Sequence, residues 1–370
     1  MRVTIERSAF LKALNHVQSV VERRNTIPIL SNVLVQAKGD SVKLTATDLD
    51  IEIVETVPAE VAQDGAVTVA AHMLYDIVRK LPDGAQLELD QGPDPGRVGI
   101  KAGRSRFALQ ALPPEDFPDL NAGELTNRFT LSAADLKGLV EKTRFAISTE
   151  ETRYYLNGIY LHEVAASAAL RAVATDGHRL ARAQVALPAG AAGMPGIIVP
   201  RKTVLELVKL IESDEGEIEV ALSASKIRFS FDGLTLTSKL IDGTFPDYER
   251  VIPRNNDKTL DVDTKLFSSA VDRVSTISFE KGRAVKLNVG GGRVVLTVNN
   301  PDSGSAEEEI AASYEAEPID IGFNSRYLLD IASQIKSDTA RFQLADAGSP
   351  TIVLDPSDDQ ALYVLMPMRV

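Results

Sequence analysis

The sequence predicts an α+β chain of three homologous domains, each with two helices packed on antiparallel strands. Three observations carry this reading. Four different segments recur in the same order, at intervals of about one third of the 370-residue chain. Six stretches place apolar residues at three- and four-residue steps, the period of an amphipathic helix. Most of what lies between them alternates apolar and polar residues and is broken by turn signals, as antiparallel strands require.

The first recurring segment is a short strand running into a helix. It reads VTI (3–5) with Phe10 and Leu14, FTL (129–131) with Leu136 and Val140, and LDV (260–262) with Phe267 and Val271. Ser8, Ser132 and Asp263 stand near the helix entries and are expected to cap them, because their side-chain oxygens can accept the free N–H groups of a first turn. The second is VTVAAHMLYDIVRKL (67–81), IIVPRKTVLELVKLI (197–211) and IGFNSRYLLDIASQI (321–335), which superimpose without gaps at spacings of 130 and 124. Each is a strand, a short turn and a helix. The third is LTATD (44–48), RAVATD (171–176) and VLTVNN (295–300), and the fourth is DFPDL (116–120) and TFPDY (244–248).

These matches place the domains at 1–122, 127–252 and 256–370, joined by the polar, turn-rich stretches LNAGELTN (120–127) and PRNNDK (253–258). SVKLTATD, QLELD, EIEVALS, KIRFSF, LTLTSKL and RVVLTVNN alternate as strands do, with DG (232–233) and GGG (290–292) as hairpin turns. VGGGRV (289–294) is followed by no helix, so it reads as a hairpin and not as a phosphate loop.

Hydrophobic residues at 44% and charged residues at 25% are ordinary for a globular protein. The absence of cysteine excludes disulfides, thiolate zinc sites and cysteine nucleophiles, and fits a reducing compartment. No apolar run approaches the length of a membrane span. The opening MRVTIERSAFLKAL lacks the continuous apolar segment of a signal peptide. A cytoplasmic protein is expected.

The net charge of −12 argues against a uniformly basic nucleic-acid-binding domain. Its distribution is uneven. The six helical stretches, taken as 7–24, 72–81, 133–145, 200–210, 264–274 and 324–337, carry a net +9, which leaves −21 elsewhere. Either basic helices lie along a polyanion while the rest of the surface repels it, or surface helices simply favour charged helix formers.

ATDGHRL (174–180) sets Asp176 beside His178 and resembles an active site. A catalytic triad needs a nucleophile and an orienting acid around the base. Only Thr175 stands near, and ATD recurs at 46–48 with no His after it. One His and one Asp do not make a metal ligand set. TDG reads better as a strand end entering a turn, so that GHRL is what the second domain adds.

Several longer motifs carry a resemblance: RYYLNG (153–158), VATDGHRLA (173–181), IVPRK (198–202), DGTFPDYERVIP (242–253) and YVLMPMRV (363–370), with PILSNVL (28–34) and TATDLDIEI (45–53). Together, in order and over the whole chain, they resemble the bacterial sliding clamp family, the beta subunit of DNA polymerase III. The resemblance implies a head-to-tail homodimer whose six similar domains close a ring around double-stranded DNA, with helices lining the hole. It implies a non-catalytic processivity factor without cofactor or metal. A ring holds DNA by topology, so weak phosphate contacts without sequence information suffice. The implied partners are the clamp loader complex, the replicative polymerase alpha subunit and, through short peptide motifs, translesion polymerases, mismatch-repair proteins and ligase.

On the family pattern, a groove between domains 2 and 3 takes peptide tails that present a Gln and one or two large apolar residues. The matching positions in domain 2 are Arg153, Leu156, Thr175, Gly177, His178, Arg179, Leu180, Pro246, Arg250 and Val251. In domain 3 they are Asn324, Tyr327, Val364, Met366, Pro367, Met368 and Arg369. Methionine suits a site that must accept many partners. The competing reading of YVLMPMRV is a final edge strand with an ordinary apolar face. DAGSPTI (346–352) departs from the family pattern, and Gly348 and Pro350 are expected to reshape the second half of the groove.

Arg24, Tyr154, Tyr155, Arg201 and Lys202 match DNA-contacting positions of the family, and Lys12, Arg79 and Lys80 fit by helix face and charge. A solvated helix face is the alternative for each. For dimer contacts, GRSRFAL (103–109) reads as an edge strand and SAEEEI (305–310) as its acidic counterpart. Arg104 and Arg106 are expected to meet Glu307, Glu308 and Glu309 of a second copy, with Phe107, Leu109 and Ile277 buried between them.

Overall fold

The computed structural model describes residues 1–120, 123–211, 216–278 and 283–369. Its helices are α1 (Arg7–Val17), α2 (Ala71–Lys80), α3 (Ala133–Arg144), α4 (Arg201–Ile211), α5 (Thr264–Ser275) and α6 (Ser325–Ala332). The repeat holds to the residue. Helices α1, α3 and α5 each begin 4 residues after the first residue of VTI, FTL and LDV, and α2, α4 and α6 each begin at the fifth residue of the superimposed segments. Each helix buries one stripe, such as Phe10, Ala13, Leu14 and Val17 in α1, and Phe267, Ala270, Val271 and Val274 in α5.

The helix entries correct one expectation. Glu6 caps α1, its carboxylate accepting the Ala9 N–H at 2.9 Å, while Ser8 lies within the first turn. The strand Arg2–Glu6 passes into the helix with no intervening turn, so the last strand residue takes the capping position. Asp263 caps α5 as expected, accepting from Leu266 N at 2.8 Å. Ser132 directly precedes α3. Asn324 caps α6, which ends at Ala332, short of the expected 337. Helix α1 is also shorter than expected. It gives way to a 3-10 turn at Gln18–Val20 and then to extended backbone, so Glu22, Arg23 and Arg24 lie outside it. Over the observed bounds the six helices carry +7 and the rest of the chain −19, together the −12 of the whole. The contrast in sign survives.

The chain forms two compact units. The first comprises Met1–Ala134, Pro188–Ala191 and Lys202–Leu240, built on a 13-stranded sheet. Within it, strand Leu234–Lys239 pairs antiparallel with Ile51–Pro58, with Leu236 opposite Ile53 and Ser238 opposite Ile51. The second comprises Asp135–Leu187, Ala192–Arg201 and Ile241–Val370, built on a 12-stranded sheet. Within it, strand Asp358–Leu365 pairs antiparallel with Arg179–Ala186, with Tyr363 opposite Ala181 and Leu365 opposite Arg179. The two joins are equivalent. In both, the last long strand of one repeat lies on the strand that follows the TD turn of the preceding repeat, in the same register.

Two strands of these types have no such join among the described residues. Ser105–Leu112 pairs with Arg97–Ala102 over Ser105 to Gln110, and reaches Gly65–Ala70 through Ala111 and Leu112 alone. Gly304–Ser313 pairs with Arg293–Asn300 over Gly304 to Ala311, and reaches Lys258–Asp263 through Ala312 and Ser313 alone. Each therefore presents an open edge along most of its length. The GGG turn is a hairpin, with Gly291 at φ +60° and Gly292 at φ +75° between strands Ala284–Gly290 and Arg293–Asn300.

Gly190, at φ +90°, lies so close to the strand Asn127–Ser132 that a Cβ would stand 2.2 Å from the Arg128 carbonyl oxygen. Gly190→Ala is expected to cost about 2 kcal/mol or more, read as a lowered thermal midpoint. An unchanged midpoint would contradict this close approach.

Candidate functional site

The ATDGHRL turn is built from its own side chains. The Thr175 hydroxyl donates to the Arg179 carbonyl at 2.7 Å and accepts the Gly177 N–H at 3.1 Å. Asp176 Oδ1 accepts the N–H groups of His178 and Arg179 at 2.9 and 3.0 Å. The same turn stands in the first repeat. There the Thr47 hydroxyl donates to the Ile51 carbonyl at 2.8 Å and accepts from Leu49 N at 3.0 Å, and Asp48 Oδ1 accepts from Asp50 and Ile51 at 2.9 and 2.7 Å. Threonine and aspartate are thus scaffold in both copies. The third turn residue adopts a left-handed conformation, φ +89° at Gly177 and +77° at Leu49. At Gly177 a Cβ would also stand 2.5 Å from Arg153 NH1. With the Thr175 hydroxyl donated to backbone and the Asp176 carboxylate filled, the turn supplies His178 with neither a nucleophile nor an orienting acid.

Arg179 does not line an open wall. It is 9% exposed. Its guanidinium is held by Asp176 at 3.1 Å, Asp330 at 2.5 Å and the Phe145 carbonyl at 2.7 Å. It also lies 4.3 Å over the Tyr327 ring and 5.1 Å from the Phe145 ring. The planar fork and the two ring faces make it a brace that ties the turn to α6 and to the residue after α3. Tyr327 in turn stacks with the exposed His178 ring, centroids 6.3 Å apart. Arg153 is gripped by Glu150 through Nε at 2.8 Å and NH2 at 2.7 Å, and donates to the Asp176 carbonyl at 3.1 Å.

Below the turn, Leu156, Leu180 and Val364 are buried in one cluster with Val173, Ile198, Phe245 and Tyr248, and Leu180 sits opposite Val364 in the ladder. Exposed residues flank this floor in the chain: Pro246, Arg250 and Val251 on one side, Met366 and Arg369 on the other, with Val251 51% and Met366 39% exposed. The terminal segment is fastened by two backbone bonds, Met366 N–H to His178 carbonyl at 2.9 Å and Met368 N–H to Gly322 carbonyl at 2.7 Å. Pro367 between them needs no acceptor. Asn324 spends its side-chain oxygen on the α6 cap, at 3.0 and 3.4 Å. A buried aliphatic floor with exposed Val and Met at its margin is a surface for large apolar side chains.

The divergent segment is an anchored turn. Asp346 accepts from Gly348 N and Ser349 N, both at 2.8 Å, and the Asn256 amide donates to the Pro350 carbonyl at 2.8 Å. Thr351 then pairs opposite Leu365, which puts this turn at the Met366 end of the ladder.

The residues expected at DNA are mostly exposed: Lys12 on α1, Arg24 beyond it, Arg79 and Lys80 at the end of α2, and Arg201 at the start of α4. Arg79 pairs with Asp76 at 2.9 Å. Tyr154 is 54% exposed and edge-on to Tyr155. Lys202 differs, because Asp48 at 2.5 Å and Glu22 at 3.3 Å already counter its charge.

At the open edges, Arg104, Arg106 and Phe107 are exposed, but Leu109 already lies in its own core. Glu308 is held by Arg273 at 2.5 Å and Glu309 by Arg293 at 3.1 Å, so neither is free for a second copy. Glu307 is exposed and has no ion pair among the described residues. Ile277 is half-buried, 2 residues past the end of α5, and its carbonyl accepts the Asn300 amide.

Sequence reasoning missed Glu150, Phe145 and Asp330. The last two lie 34 and 151 residues from the arginine they hold, and no local pattern marks them.

Models of the DNA polymerase III beta subunit match along the chain: the N-terminal domain over residues 1–121, the central domain over 130–247 and the C-terminal domain over 249–369. The chain is 56% identical over 372 residues to the beta sliding clamp of Caulobacter vibrioides and 42% identical over 371 residues to that of Pseudomonas putida, with 100% of each chain covered. Among solved structures it is similar to the sliding clamp of Bartonella birtlesii bound to griselimycin, with TM-score 0.98, 56% identity and 100% of both chains covered.

Arg179→Ala leaves Asp330 and the Phe145 carbonyl without their shared partner. It is expected to cost about 3 kcal/mol, read in thermal unfolding. A loss within the error of the measurement would contradict the brace.

Proposed function

The chain belongs to the DNA polymerase III beta subunit family and is a DNA sliding clamp, a processivity factor and not an enzyme; from this premise we propose that two copies close head to tail around duplex DNA and bind partner proteins through the groove at the 2–3 domain join. The observation that carries the proposal is the strand join made twice within the chain. Three repeats joined in series leave one strand of each type unjoined, Ser105–Leu112 and Gly304–Ser313. A second copy supplies the missing partner for each, which is a head-to-tail contact that closes with two subunits.

The register of the internal joins carries over. It sets Arg106 opposite Glu307, just as Thr235 lies opposite Val54. It sets Phe107 opposite Ala306, on the face shared with the buried Leu109 and Ile310. Residues opposite each other in an antiparallel pair stand about 5 Å apart, close enough for the charges to select register. Glu307 is the acid of its run that has no ion pair among the described residues. Domain divisions at 1–122, 127–252 and 256–370 follow from the same repeat.

On this reading the net-positive helices face the DNA, and Lys12, Arg24, Arg79, Lys80, Tyr154, Tyr155 and Arg201 touch the backbone. Lys202, countered by Asp48 and Glu22, contributes less. Loose phosphate contacts suit a ring that must slide. The clamp works in the cytoplasm with a clamp loader and the replicative polymerase alpha subunit, and translesion polymerases, mismatch-repair proteins and ligase dock by short tails in the groove.

After loading, the clamp is expected to stay on circular duplex and to leave linear duplex by its ends. Equal retention on both forms would end the topological reading. Arg106→Glu is expected to raise the dimer dissociation constant about tenfold or more, since each ring contains the pair twice, and Glu307→Arg in the same chain should restore it. Sedimentation velocity reads both effects, and a failed rescue would place the register elsewhere.

A further inference from the structure

One face of the sheet in the second unit carries more than the groove floor. Side chains two apart on a strand share a face. Val173 and Leu180 therefore share theirs with Arg171, Arg182 and Gln184. Arg171 is 7% exposed. Its Nε and NH2 donate to Gln184 Oε1 at 3.1 and 2.9 Å, and its NH1 donates to Glu249 at 2.5 Å and to the Tyr248 hydroxyl oxygen at 2.9 Å.

The direction of the next bond can be derived. His162 Nδ1 stands 2.9 Å from the Glu163 carbonyl, which can only accept, so Nδ1 carries the proton. In the neutral ring Nε2 is then an acceptor, and the Tyr248 hydroxyl, 3.0 Å away, donates to it. Tyr160 stacks on both His162 and Phe245, with centroids at 4.6 and 4.9 Å. These contacts seat the 3-10 turn Tyr248–Val251, which bears the exposed Arg250 and Val251 at the groove margin.

We propose that the Arg171–Tyr248–His162 relay positions the 245–251 segment for peptide binding and makes the affinity of the groove fall in acid. The proposal rests on the groove reading given above. Tyr248, Arg171 and His162 are positioning residues, since none of them is exposed at the groove margin. Protonated His162 would turn a second cationic donor onto the hydroxyl oxygen that Arg171 already occupies, and the Tyr248 proton would lose its acceptor. The charged groups acting on the imidazole are Arg171 from the neighbouring strand and Glu249 from the turn, with Arg182 one strand further on, beyond Arg171. The Glu163 carboxylate is engaged with the Gly193 N–H at 2.7 Å.

Burial first, and then the charge of Arg171, hold the His162 pKa below its ordinary value of 6.5. The seated, neutral form is therefore complete above that value. As pH falls through 6.5 the unseated state takes up the proton first, and the contribution is lost on the acid side.

The test uses the full-length dimer and a fluorescein-labelled peptide with one Gln followed by Leu and Phe, with affinity read by anisotropy at about pH 7.5 and about pH 5.5. His178 also carries an imidazole in the groove, so the deciding quantity is a comparison between variants. The acid-to-neutral ratio of Kd in the wild type should exceed that of His162→Gln by about fivefold, and Tyr248→Phe should weaken binding about fivefold at the higher pH. Truncation after Leu365 should abolish binding, and binding that survives truncation overturns the groove reading itself. Binding lost on truncation, with equal ratios in wild type and His162→Gln, overturns the relay alone. The same ratio decides the matter if Tyr248→Phe does not fold.

Discussion

The fold rests on one antiparallel join, in which the closing strand of a repeat lies along the strand that follows the TD turn of the repeat before it. An exposed strand edge is a row of unpaired donors and acceptors, and it must be satisfied or protected. The chain satisfies it twice, in one register, at Leu234–Lys239 on Ile51–Pro58 and at Asp358–Leu365 on Arg179–Ala186. A linear series of three such units has one edge of each kind left over. On the proposed head-to-tail closure, dimerisation uses the same hydrogen-bond pattern that holds the monomer together.

The groove is a property of one of these joins. Where the third repeat meets the second, the ladder brings Leu180 opposite Val364 and ends beside Gly177, His178 and Met366. Where the second meets the first, the equivalent turn offers Leu49 and Asp50. Its acids are occupied by lysines, Asp48 with Lys202 at 2.5 Å and Asp50 with Lys239 at 3.0 Å. The backbone construction is the same in both places. One margin is an apolar floor edged by exposed Val251 and Met366, and the other is closed by ion pairs, so a repeated scaffold carries a function that is not repeated.

Within the groove, Arg179 shows why a buried charge is retained. Its burial would be costly without full compensation, and compensation comes from two carboxylates, a carbonyl and two ring faces. By binding α6 and the end of α3 to the turn, it leaves its neighbour His178 exposed beside Tyr327. The two residues look alike in the sequence and have opposite duties.

The sequence by itself determined what depends on neighbours in the chain. Apolar period, capping residues and turn glycines act over a few positions, so the three repeats, the starts of all six helices to within a residue and the hairpin at Gly291 and Gly292 were legible there. So was the likeness of ATD at 46–48 and 174–176, which removed the catalytic reading of Asp176. Only the tertiary structure decided which charges were already used. Arg179 is matched by Asp330, Lys202 by Asp48 and Glu22, Glu308 by Arg273, and Tyr248 by Arg171 and His162, partners 35 to 180 residues apart. An ionic or hydrogen-bonded pair is selected by the geometry of the finished fold. Nothing in the local pattern of either member marks the other, and the end of α1 at Val17 and its cap at Glu6 were hidden for a related reason. At the entry the strand Arg2–Glu6 runs into the helix with no residue between, so Glu6 takes the cap, and at the exit the backbone tightens into the 3-10 turn Gln18–Val20.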